Sequence, residues 1–248
     1  MLVLGYMLSV AIGLSLGLLG GGGSILTVPL LHYVFGVAAH DAIAMSLVVV
    51  GATAVAALVP RAMAGRVNWR VGMLFGGASI ASAYLGGRVG ALLPARALMI
   101  AFSAVMIAAG GAMLARARGA GFAPRAHHGS AHRLVASGIA TGLVTGVLGA
   151  GGGFIIVPAL TLFAGLAVRE AVATSLFVIA VNSVAALAGT MHHASFDSGL
   201  LVAVTGLAIA GSFAGVRIAK RISGSQLQRT FAWFVIIVGI LVVTGELL

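Results

Sequence analysis

Two runs of glycine are the part of this chain that can do chemistry without a reactive side chain. Residues 17–31 read GLLGGGGSILTVPLL and residues 146–160 read GVLGAGGGFIIVPAL, the second set 129 positions after the first with no gap. Consecutive glycines do not continue a helix cheaply, so the backbone opens there and leaves polar groups that need partners. Gly21, Gly22 and Gly23 lead into an apolar segment opening at Ser24, and Gly151 and Gly152 into one opening at Gly153. A helix that starts at such a break presents free N–H groups and the positive end of its dipole, a combination suited to an anion. The competing reading is that the glycines only permit close helix packing or a tight hairpin.

Neutral polar side chains follow each break. Ser46 and Thr53 are seven residues apart, as are Ser175 and Asn182, so each pair shares one helical face. With Thr174 and Ser183 they supply hydrogen-bond donors that could orient an oxyanion, or that could simply bridge helices. Asn182 is the most telling, because a buried amide needs several partners. Arg88 and Arg217 occupy matched positions on stretches rich in small residues. They act either as snorkelling anchors or as vestibule charges that attract an anion. Pro29 and Pro158 lie a few residues past the breaks and are expected to bend helices.

The elements that must position these groups are themselves repeated. The 129-residue offset also pairs Ser46-Leu47 with Ser175-Leu176, Val55–Leu58 with Val184–Leu187, Gly86 with Gly215 and Phe102 with Phe231. One register held this long marks a duplicated unit. The chain divides into repeat 1 (1–115), a basic linker (116–133) and repeat 2 (134–248). At 61% hydrophobic and 7% charged it cannot cover a soluble surface, so it is read as an integral membrane protein in a lipid bilayer. Ten apolar stretches predict an all-α membrane fold of about ten transmembrane or partial helices. Each Gly-rich pair is either two full crossings or a re-entrant hairpin; residues 154–165 reach only about 18 Å as a helix, against a hydrocarbon core of roughly 30 Å, which makes that arm a partial or thinned crossing.

Charge sets the orientation. Arg61, Arg66 and Arg70 share one loop, Arg116, Arg118, Arg125 and Arg133 the linker, and Arg217, Lys220, Arg221 and Arg229 a third segment. The positive-inside rule places all three in the cytoplasm and both termini outside, with Arg88 and Arg96 as exceptions. The crossings between them then make the two repeats inverted. The basic residues lack interleaved aromatics, which argues against nucleic acid despite the net charge of +10. His127, His128 and His132 sit on the linker with nothing near in sequence to orient them, so no metal or other cofactor is expected. The absence of cysteine removes thiolate chemistry and disulfides. Asp41, Glu170, Asp197 and Glu246, the only acidic residues, fall in loops or at the C-terminus, so a carboxylate relay for protons or cations lacks its parts.

The paired Gly-rich motifs with their prolines (Gly20–Pro29 and Gly149–Pro158), the Ser-Leu pairs at Ser46 and Ser175, the basic linker and the length of 248 residues resemble the sulfite exporter TauE/SafE family of bacterial membrane permeases. The resemblance covers essentially the whole chain. It implies a permease of the bacterial inner membrane for small sulfur-containing anions such as sulfite, sulfonates or related organosulfur acids. The breaks read Gly-Gly-Gly-Gly-Ser and Gly-Ala-Gly-Gly-Gly, so the two halves of the site need not be equivalent. Outward movement of one negative charge gains about 2.3 kcal/mol per 100 mV with the interior negative, which favours export. Two other readings compete: an intramembrane hydrolase pairing His192 and His193 with Ser46 or Ser175, and a non-transporting assembly or scaffold protein. Neither the substrate nor the oligomeric state is written in the residues.

Overall fold

The computed structural model describes residues 2–118, 131–148, 153–190, 197–219 and 221–247. Among these the chain is all α-helical: α1 (Leu2–Leu19), α2 (Gly22–Pro29), α3 (Ala39–Met63), α4 (Trp69–Leu92), α5 (Ala95–Arg118), α6 (Ala131–Leu148), α7 (Gly153–Phe163), α8 (Val168–Thr190), α9 (Ser198–Ala219) and α10 (Gly224–Leu247). Helices α3, α8 and α9 are long and apolar enough to span a bilayer on their own. Their apolar character goes all round, as expected where one face meets lipid and the other meets protein. Large hydrophobic residues such as Val55, Val184 and Val202 face outward, while Leu47, Val50, Leu176 and Ile179 are buried.

α2 and α7 are the short elements. α2 has 8 residues and runs through Pro29 into a π-helical turn, Leu30–Val34, while α7 has 11 and carries Pro158. Proline lacks the N–H that would close the helical ladder behind it, so the carbonyl one turn before each proline goes without its usual partner. At 1.5 Å per residue α7 is about 16 Å long, well short of the hydrocarbon thickness.

Contacts repeat with the same 129-residue offset, exchanged between the halves. Gly13 and Gly17 of α1 lie against the Ala208 and Ser212 carbonyls of α9, and Gly142 and Gly146 of α6 lie against those of Ser79 and Ala83 on α4. Each contact maps onto the other when its residues are swapped between repeats. The first helix of one half thus packs on the fourth helix of the other, with backbones in direct touch along a small-residue stripe. Capping follows the same relation. Asn68 Oδ1 accepts from Val71 N at 3.1 Å to start α4, and Asp197 Oδ1 accepts from Leu200 N at 3.0 Å to start α9.

α3 and α8 occupy the centre and contact one another extensively. Gly51 faces Ser183, while the far end of α3 at Arg61 shares a pocket with the beginning of α8 at Arg169. The two matched helices therefore run in opposite directions. α5 and α10 do the same, with Gly110 against Ala232 and Gly239 against Ser103.

The acidic residues correct one expectation. Asp41 and Glu170 lie in the first turns of α3 and α8 rather than in loops, where a negative charge complements the helix dipole. Glu170 also accepts from Asn68 Nδ2 at 2.8 Å, tying α8 to the start of α4. Among the described residues no group of three or more His, Cys, Asp or Glu could hold a metal ion.

Candidate functional site

The structure brings the two breaks together. After α1 the chain turns at Gly20, whose φ of +72° is a left-handed conformation that glycine adopts without strain. A Cβ at Gly20 would also lie 2.7 Å from Val172 O and 2.9 Å from Ser175 Oγ, so close approach to α8 selects glycine a second time. The next residue, Gly21, lies in direct backbone contact with Gly153, the first residue of α7. The two short helices thus begin beside one another. Gly151 and Gly152 lie outside the described residues.

Individual glycines differ in what they do. α2 opens at Gly22, two residues earlier than the expected start at Ser24, because glycines are no obstacle to a first helical turn whose N–H groups have no intrahelical partner anyway. Gly21 stands at its N-cap without a side-chain hydrogen bond, so the leading N–H groups of α2 have no capping side chain. Gly23 is a packing position: a Cβ there would strike the Ile12 carbonyl and lie 2.6 Å from Leu16 Cβ on α1. Ser24 Oγ donates to Gly21 O at 2.7 Å and steadies the break from within.

The polar residues after the breaks are all buried, and their partners separate them into groups. Ser175 Oγ reaches Gly20 O at 3.0 Å and Val172 O at 2.9 Å, linking α8 to the first break. Ser46 Oγ and Thr53 Oγ1 donate to carbonyls of their own helix, Ile43 O at 2.8 Å and Val49 O at 2.6 Å. Thr174 Oγ1 accepts from Asn68 N at 3.0 Å and works as a strut to α4. Asn182 Oδ1 accepts from Ser79 Oγ at 2.6 Å. Asn182 Nδ2 and Ser183 Oγ, both fully enclosed, have no hydrogen-bond partner among the described residues. An amide N–H left alone in such surroundings costs about 1–3 kcal/mol, which a bound acceptor would offset.

Arg88 and Arg217 are exposed on α4 and α9, as the anchor reading requires and the vestibule reading permits. The structure adds Arg61, which the charge pattern had placed in a loop. It belongs to the last turn of α3 and is 7% exposed, with Nη1 donating to Ala57 O at 3.3 Å and Nη2 to Gly17 O. Arg61 anchors α1 close to the first break. The sequence carried a sign of this, since Arg61 is the arginine that directly follows the apolar run 42–60 and Pro60. His192 and His193 lie outside the described residues.

Helices broken inside a polytopic bundle, with contacts exchanged between two repeats, are an architecture found in many membrane transporters. The sequence model of the Sulfite exporter TauE/SafE family matches residues 6–242, and the chain belongs to that family. It is 39% identical over 243 residues to a protein of Xylella fastidiosa strain Temecula1 named "Probable membrane transporter protein", covering 94% of this chain and 91% of the relative. A protein of the same name from strain 9a5c is 37% identical over 240 residues, with the same coverage. "Probable membrane transporter protein YdhB" of Bacillus subtilis is 25% identical over 212 residues, covering 83% of this chain and 85% of the relative. No solved structure matches.

Proposed function

We propose that this chain is an inverted-repeat carrier or facilitator that moves a small sulfur-containing oxyanion, sulfite or a related sulfonate or organosulfur acid, out across the bacterial inner membrane. The observation that carries the reading is the meeting of Gly21 and Gly153, which sets two helix N-termini beside one another inside an apolar protein. Such a place attracts negative charge and offers backbone N–H groups in exchange for water. Asn182 Nδ2 and Ser183 Oγ, buried and unpartnered among the described residues, are further donors on α8. Because Gly21 and Gly153 touch, transport requires the two breaks to move apart, with the exchanged α1–α9 and α4–α6 pairs moving as bodies. The family's description as a sulfite exporter supports the choice of sulfur oxyanions.

The antiparallel course of α3 and α8, together with the arginine distribution, supports opposite orientations of the repeats and termini on the outside. The chain is free of cysteine, so Arg70→Cys and Ser198→Cys, both at exposed positions at the starts of matched helices, report sidedness cleanly. An impermeant thiol reagent added to intact cells is expected to modify the second and spare the first. Equal labelling of both from one side would overturn the inversion.

For function, purified protein in proteoliposomes is expected to carry sulfite or a sulfonate faster than carboxylates of similar size, and faster with the side receiving the anion held positive. No movement of any sulfur oxyanion would overturn the proposal and leave the scaffold reading in its place.

A further inference from the structure

Beside the first break a pocket is lined by Leu18, Pro60, Arg61, Arg66, Arg169 and Val172, among others, and none of its lining residues is acidic. It contains three arginines from three parts of the chain: the end of α3, the loop after it and the first turn of α8. Arg169 Nη2 donates to Ile222 O at 2.9 Å, and the partners of Arg61 are both backbone carbonyls. A guanidinium has five N–H groups, so two bonds leave three of Arg61's donors without a partner among the described residues, and carbonyls do not neutralise its charge. A cation that is 7% exposed and lacks a carboxylate is costly unless an anion completes it.

The repeat supplies an internal comparison. Under the 129-residue offset Arg61 corresponds to Thr190, and the hydrogen bond is kept: Thr190 Oγ1 donates to Ala186 O at 2.6 Å where Arg61 Nη1 donates to Ala57 O at 3.3 Å. Arg169 corresponds to His40, whose Nε2 bonds Leu93 O at 3.2 Å where Arg169 bonds Ile222 O. The scaffold at these two places is therefore the same, and the strong cations stand in one of them. Arg88 and Arg217, being matched, contribute equally to each side. The intrahelical bond alone does not demand arginine at position 61, because threonine at the equivalent position keeps it.

We propose that Arg61, with Arg66 and Arg169, forms the loading site for a small oxyanion at the cytoplasmic mouth, and that the mouth around Thr190 and His40 is the releasing side. This rests on the oxyanion reading given above. Arg66, exposed, draws the anion in; Arg61, buried beside the Gly17 carbonyl, replaces part of its water with a planar donor fork. Val172 lines the pocket and also faces Gly20, so the loaded anion lies next to the first break. A buried arginine on one side only would bias capture toward that face; Arg96, close in sequence to Leu93 on the other side, is exposed.

The test is isothermal calorimetry of sodium sulfite and sodium sulfate with the full-length protein in nanodiscs, alongside melting curves without anion. Arg61→Gln is expected to weaken binding by roughly 30-fold or more, with Arg61→Lys intermediate because it keeps the charge and loses the fork. Arg66→Gln is expected to cost about two- to fivefold at low salt, with the loss fading near about 1 M salt. If Arg61 only holds α1 in place, Arg61→Gln lowers the melting temperature and leaves affinity unchanged, which overturns the loading site while the carrier reading stands. If Arg61→Gln does not fold, unchanged affinity and salt dependence in both Arg61→Lys and Arg66→Gln overturn it equally. Absence of binding by the unmodified protein overturns both readings.

Discussion

Gly21→Val is expected to reduce transport at least about 100-fold in proteoliposomes while the protein still inserts and purifies as a helical membrane protein. A Cβ at Gly21 strikes the backbone of Gly153, and neither side of that contact can yield by turning a side chain. The breaks must move apart, and the two helix N-termini then no longer lie side by side. Displacements of about 1 Å at such a centre cost about 100-fold where positioning carries the function. Gly77→Ala is the matched control. Gly77 is exposed on α4 with nothing within 4 Å of a Cβ, so alanine there should leave transport unchanged and stabilise the helix by up to about 1 kcal/mol. Normal transport by Gly21→Val would remove the breaks from the path and leave them as packing elements.

Asn182→Leu is expected to weaken oxyanion binding about 5- to 150-fold, corresponding to about 1–3 kcal/mol, without loss of thermal stability. The amide's two ends differ. Oδ1 is satisfied by Ser79, whose single hydroxyl proton turns to Gly76 O, 2.9 Å away, when the amide is gone. Nδ2 is buried without a partner among the described residues, so its removal relieves a cost in the empty protein and deletes a donor only in the occupied one. A residue serving solely to bridge α8 and α4 would behave in the opposite way, with a lower melting point and unchanged affinity. Melting curves and calorimetry on the same preparation separate the two, and an unchanged affinity excludes Asn182 from the site.

Much of this architecture could be read from residue order. Composition made the membrane assignment, because a chain with so few charges has nowhere else to bury its surface. The repeated glycines marked both breaks for a local reason: runs of residues without a Cβ open the backbone wherever they occur. The offset of 129 residues also matched the helices that prove to be structural counterparts, from α1 with α6 to α5 with α10. Less local properties were read imperfectly. Hydropathy alone leaves Asp41 and Glu170 outside their helices, because charged residues occupy the first turns of α3 and α8, and it sets the start of α2 two residues late for want of any capping signal.

What the residues determined by themselves is therefore the medium, the duplication, the two backbone breaks and the chemical class of the groups beside them. Tertiary structure decided which of these groups meet. Gly21 and Gly153 are 132 positions apart and touch, while Gly23, two residues along, turns into α1 and serves packing. The seven-residue spacing that puts Ser175 and Asn182 on one helical face does not say that one reaches Gly20 and the other Ser79. Arg61, Arg66 and Arg169 converge on one pocket only because α3 and α8 pass in opposite directions. Periodicity along a chain specifies which face of a helix a residue occupies, whereas the partner of that face depends on helix crossings made between distant segments. A buried charge or an orphaned amide becomes visible only once those crossings have enclosed it.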